Sequence, residues 1–175
     1  MKIIIKDSAA DASAAVADIL LRQIGEKPDS VLGLPTGGTP LAVYARLREE
    51  YRKGRGSFGS VTTFNLDEYL GLSPDDPASY ACYMHANLFA HVNIDLTKTH
   101  IPSGLSEDPE AEGRRYEGLI AAYGGIDVML LGLGHNAHIG FNEPGSSQSP
   151  RTRRVSLTPS TIDANAAYFP PGTRQ

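Results

Sequence analysis

The stretch IDVMLLGLGHNAHIGFNEPG, residues 126–145, decides the fold class. Ile126, Val128, Leu130 and Leu131 form an apolar, partly β-branched run, too short for an ordinary helix. It reads as a strand buried on both faces. Gly132 and Gly134 follow, then His135, Asn136, His138, Asn142 and Glu143. A buried strand of a parallel sheet delivers a loop at its carboxyl end, where ligands of open α/β proteins bind. Glycines let such a loop turn sharply, because they tolerate positive φ. An imidazole and a carboxylate in one loop can form a charge-assisted pair that orients a proton carrier. A lone histidine more often caps a loop, but the density of polar side chains beside this strand favours a site.

Upstream, the same grammar repeats. Lys2–Lys6 carries three isoleucines and reads as a first strand. Ser8 caps a helix running through Ala12, Val16, Ile19, Leu20 and Ile24. Residues 30–34 form a short strand that runs into Pro35, Thr36, Gly37, Gly38, Thr39 and Pro40. Thr39 is a natural N-cap with Pro40 at the first helical position. Strand, glycine turn and helix start make an anion cradle, from Thr36, Gly37, Gly38 and Thr39. The P-loop lysine and the third glycine of a dinucleotide fingerprint are lacking, so a sugar phosphate fits better than a nucleotide. Residues 61–66 read as another strand, ending at Asp67, Glu68 and Tyr69. A carboxylate at that end can act as a base, although for these acids alone a solvated turn would serve as well.

Ser79 caps a further helix whose stripe of Tyr80, Tyr83, Met84, Leu88 and Phe89 reads as core. A short strand is expected at residues 99–101 and a helix with one solvated face at 107–123. One more strand is expected at 154–157 and one more short helix at 160–168. Strands alternating with helices predict an α/β fold, Rossmann-like, with a mainly parallel sheet and helices on both faces. Residues 1–175 read as a single domain. All three polar loops follow strands, so the cradle, Asp67 and the His138 loop should share one cleft.

Composition narrows the function. At 175 residues and 41% hydrophobic, the chain can bury a sizeable core without a disulfide or metal. Cys82 is the only cysteine, and His85, His91 and His100 lack metal-ligand spacing, so no metal site is expected. A net charge of −4 argues against a nucleic-acid partner. No run approaches the roughly 20 apolar residues that cross a bilayer, and no secretory signal is evident, so a cytoplasmic protein without a membrane partner is expected.

GLGHNAHIGFNEPG, with LGLPTGGTP at 32–40 and FNLDEYLGL at 64–72, resembles the glucosamine-6-phosphate deaminase family, in this order and at closely similar spacing. The resemblance runs from near the start to about Pro170. It implies deamination of glucosamine 6-phosphate to fructose 6-phosphate and ammonia, with an amino-sugar phosphate as the small-molecule partner and no cofactor. It maps the enolisation base to Asp67, ring opening to His138 and Glu143, and an orienting amide to Asn136. The family commonly forms trimers or hexamers, which leaves room for a homo-oligomer.

Several positions depart from the family pattern. Ala137 stands where the family usually has Gly, which would cost about 1 kcal/mol if φ is positive there. Ala167 replaces a phosphate-binding Arg before Tyr168 and Phe169, and the sequence stops before a phosphate-binding Lys, so it reads as C-terminally truncated. Each lost cation removes a charge-assisted hydrogen bond of roughly 1.5–3 kcal/mol, and a missing strand would bare a sheet edge. Ser146 and Arg153 match effector-contacting positions but Val155 replaces a Lys, so no allosteric activation is expected. The alternatives are a sugar-phosphate lactonase of the same superfamily and a non-catalytic paralogue that binds an amino-sugar phosphate.

Overall fold

The computed structural model describes residues 2–134, 136–147 and 151–165. Its elements in chain order are α1 (Ala9–Glu26), β1 (Val31–Leu34), α2 (Leu41–Arg52), β2 (Thr62–Asn65), α3 (Tyr80–Asn87), β3 (Thr99–His100), α4 (Pro109–Ala122), β4 (Val128–Met129) and α5 (Pro159–Asn165). All the strands run parallel, in the order β3-β2-β1-β4. Chain progression from β1 goes outward to β2 and β3, then returns to the other side of β1 with β4. That reversal is the switch point of a doubly wound sheet, and it opens a crevice at the carboxyl ends of β1 and β4.

Alternation along the strands divides the core. Leu32 and Leu34 join Leu20 and Ile24 of α1, Tyr44 and Leu47 of α2, and Met84 of α3. Val31 and Phe64 face the other way, against Tyr116, Leu119 and Ile120 of α4. Helices therefore cover both faces, because a strand buried on both sides needs apolar partners above and below. Ser8 accepts from the N–H of Asp11 and Ser79 from that of Cys82, so both expected serine caps are present.

Gly33 explains how β4 docks, since a Cβ there would lie 2.1 Å from Met129 Sδ. Asp127 completes the docking. Its carboxylate accepts the Val31 N–H at 2.8 Å and pairs with Lys27 at 2.8 Å.

Four expectations are corrected. Lys2–Lys6 forms no strand: Ile3, Ile4 and Ile5 are 72%, 52% and 87% exposed, and no described strand offers them a hydrogen-bonding edge. The 126–131 run pairs only at Val128 and Met129, with Ile126, Val128 and Leu130 half-buried and Leu131 exposed, because nothing described covers the far side of β4. Thr39 does not cap α2. Pro40 takes that position in helical geometry, and its carbonyl accepts from Tyr44. Residues 154–157 are not a strand; the chain just before them is held on α4, where Thr152 donates to Glu117 and Gly113 gives its backbone room. Helix α5 reaches Asn165, while Ala167, Tyr168 and Phe169 lie outside the described residues. Among the described residues no helix is long and apolar enough to cross a membrane.

Candidate active site

The cradle follows β1. Its carbonyls are turned into the protein: Asn65 donates to Leu34 O at 2.7 Å, Tyr44 to Pro35 O, and Tyr83 to Gly37 O at 2.6 Å. Gly37 has φ +101°, a conformation that glycine adopts without strain. Among the described residues, the N–H groups of Gly37, Gly38 and Thr39 make no bond to backbone elsewhere. Inward carbonyls with unengaged amides are what an anion seat requires. The Tyr80 hydroxyl donates to the Tyr69 hydroxyl at 3.3 Å and lies close enough to the Thr36 side chain to interact with it.

The two acids after β2 are used differently. Glu68 accepts the N–H groups of Tyr69 at 2.8 Å, Tyr80 at 3.0 Å and Ala81 at 3.0 Å. Its carboxylate thus caps the start of α3 and ties the loop to that helix. Asp67 carries no such duty. Burial pushes its carboxyl up to about 7, opposed by the Phe141 N–H and assisted by the neighbouring Glu68 charge. Desolvation penalises the charged form, which makes Asp67 a stronger base than an exposed aspartate.

The histidine loop packs directly on this acid. A Cβ on Gly140, whose φ is +57°, would sit 2.9 Å from Asp67 Oδ2 and 2.2 Å from Leu66. Rings continue the contact, with Phe141 5.0 Å from Tyr69 and 5.8 Å from Tyr80 between centroids. Tyr80 therefore joins cradle, acid and histidine loop. The stripe expected to be core is mostly so: Met84, Leu88 and Phe89 are buried and Tyr83 packs against them while its hydroxyl reaches the cradle, whereas Tyr80 instead meets Tyr69 and Phe141.

Within the loop, Gly134 donates to His138 O at 2.9 Å and Ala137 to Gly134 O at 2.9 Å. The His138 ring lies over Gly134, where a Cβ would approach it to 2.2 Å. Ala137 has φ +68°, so the strain expected of a non-glycine residue is present. His138 Nδ1 meets Asn136 Oδ1 at 2.6 Å, and Asn136 Nδ2 donates to Glu143 Oε2 at 2.9 Å. The expected direct pairing of Glu143 with His138 is corrected: the Asn136 amide stands between them. Glu143 is held down to about 2, first by the Thr161 hydroxyl and then by Thr158 and Asn136, against the cost of burial. His135 lies outside the described residues.

The sequence reading missed Tyr80, Thr158 and Thr161, since nothing in their spacing marks a phenol or a threonine as reaching another loop. A hollow of about 560 Å³ also borders Asp67, between α4 and residues 151–157, but neither the cradle nor His138 lines it. Among the described residues no group of three or more His, Cys, Asp or Glu is placed to hold a metal ion.

Comparison with known proteins bears on family and fold. A family model described as glucosamine-6-phosphate isomerases/6-phosphogluconolactonase matches residues 5–169. A glucosamine-6-phosphate deaminase from Geobacillus is 55% identical over 170 residues, 97% of this chain and 68% of that one. A monomeric glucosamine-6-phosphate deaminase of known structure superposes with a TM-score of 0.95 at 48% identity, over 97% of this chain and 70% of that one. A 6-phosphogluconolactonase from Thermotoga maritima shares the fold, with a TM-score of 0.63 at 21% identity, over 79% of this chain and 62% of that one. The chain spans about two thirds of the length of the two deaminases it matches.

Proposed function

The chain belongs to the glucosamine-6-phosphate isomerase/6-phosphogluconolactonase family, and from that premise we propose that its crevice deaminates glucosamine 6-phosphate to fructose 6-phosphate and ammonia. One observation carries the reading. A half-buried carboxylate, Asp67, is free of capping duty and lies against the loop that holds His138. A lactonase has no carbon-bound proton to remove, so it would not need Asp67 as a carbon base.

In this reading Thr36, Gly37, Gly38 and Thr39 hold the phosphate with N–H groups and hydroxyls. His138 moves the proton that accompanies ring opening, with Asn136 and Glu143 orienting it. Asp67 takes the C2 proton, made acidic by the adjacent C1 carbonyl, and returns it to C1. The C2 imine then takes up water and releases ammonia, so the net reaction is a hydrolysis. A cytosolic setting goes with this reading, supported by the free thiol of Cys82.

Ammonia release from glucosamine 6-phosphate, measured beside hydrolysis of 6-phosphogluconolactone on one sample, tests the proposal. Ammonia without lactone hydrolysis is the expected result, and the reverse would establish the lactonase. Binding of the amino-sugar phosphate with neither product would instead mark a non-catalytic binder.

A further inference from the structure

The proton transfers above make no use of residues 158–161, yet Glu143 is held from there. Thr161 is 2% exposed, and its hydroxyl donates to Glu143 Oε1 at 2.6 Å. Thr158 adds its N–H at 3.1 Å and its hydroxyl at 3.0 Å to the same oxygen. The other oxygen, Oε2, faces Asn136 Nδ2 at 2.9 Å. A carboxylate only accepts, so the Asn136 amide must turn its NH₂ toward Glu143 and its oxygen away. That oxygen receives the His138 backbone N–H at 3.1 Å and meets ring Nδ1 at 2.6 Å. Since an amide oxygen cannot donate, Nδ1 carries the hydrogen, and in the neutral ring Nε2 keeps its lone pair.

We propose that Thr158 and Thr161 are positioning residues: by pinning Glu143 they fix the Asn136 amide, and through it the His138 tautomer in which Nε2 accepts a proton. The identity of that proton rests on the deaminase reading. Nε2 takes the hydrogen of the C1 hydroxyl, the bond from C1 to the ring oxygen breaks as the C1 carbonyl forms, and the imidazolium returns the proton to the former ring oxygen. The neutral amide at Asn136 has a consequence of its own. A carboxylate there would face Glu143 at the same separation, and two like charges so close would compete for a proton.

The tautomer is read directly by NMR of ligand-free protein labelled with ¹⁵N-histidine, the His138 signal being assigned with His138→Gln. Hydrogen on Nδ1 is the expected result; hydrogen on Nε2 alone would overturn the proposal. Replacing both threonines with valine removes the hydroxyls at nearly constant shape. It should give a mixture of tautomers and lower kcat about tenfold or more, with KM changed less than about twofold. Serine at both positions should restore both readouts. A folded valine pair with an unaltered tautomer and unaltered kcat would refute the role; if the pair does not fold, Thr161→Val alone is judged by the same two readouts. Because the tautomer is seen without substrate, a protein that shows it but releases no ammonia would count against the deaminase reading alone.

Discussion

Replacing Asp67 with Asn should stabilise the protein while ending its chemistry. Burial raises the carboxyl from an ordinary 3.8 to about 7 in the folded chain. Between those pH values the folded carboxyl holds a proton that the unfolded chain has lost, so stability declines as pH rises through this window and levels off above it. At 1.36 kcal/mol per pH unit the ceiling is about 4 kcal/mol. The side chain is half-buried and still reached by water, so about 1–3 kcal/mol is the expected gain on removing the charge. Asparagine keeps the shape and cannot ionise. Denaturant unfolding of both proteins should therefore show little difference at pH 4 and a full gain at pH 8, with an unchanged m-value. In thermal unfolding, each kcal/mol corresponds to about 2–4 °C for a chain of this size. A variant that is less stable at pH 8, or whose gain does not depend on pH, would refute the premise that burial penalises this carboxylate.

Turnover needs Asp67 ionised, so kcat/KM should fall as pH drops through about 7, and a profile flat from pH 8 to 5 would exclude it as the base. Ala137→Gly should raise stability by about 0.5–1 kcal/mol, since left-handed backbone costs an L-residue roughly 1–2 kcal/mol and glycine returns part of that through unfolded-state entropy; a lower Tm would count against it. Glu68→Gln should cost about 1–3 kcal/mol by denaturant unfolding, because one amide oxygen cannot serve three N–H donors. No loss of stability would show that α3 does not depend on this cap.

The strand–loop–helix order around Gly37 and the carboxyl end of β2 were legible because their signals are local: apolar runs, turn residues and, before α3, the Ser79 cap. The placement of the three loops at the carboxyl edge of the sheet also followed, since parallel strands put their loops on one edge. What failed was non-local. The isoleucines at 3–5 have strand propensity, but a strand needs a neighbour, and propensity cannot supply one. The 126–131 run looked doubly buried because apolar sequence reports a tendency to be covered, not the presence of a cover. At the site, the sequence suggests a direct pair of His138 and Glu143; the geometry inserts Asn136, which orients His138 and also meets Glu143. Periodicity places Tyr80 in the core, and only tertiary packing brings its hydroxyl to that of Tyr69.

Loss of deuterium from C2 of labelled glucosamine 6-phosphate, followed in ordinary water with binding measured on the same preparations, tests the role of Asp67 most directly. The unaltered chain should cleave the C2–D bond, and Asp67→Asn should bind the sugar phosphate without cleaving it. Undiminished loss of label in Asp67→Asn would contradict the account.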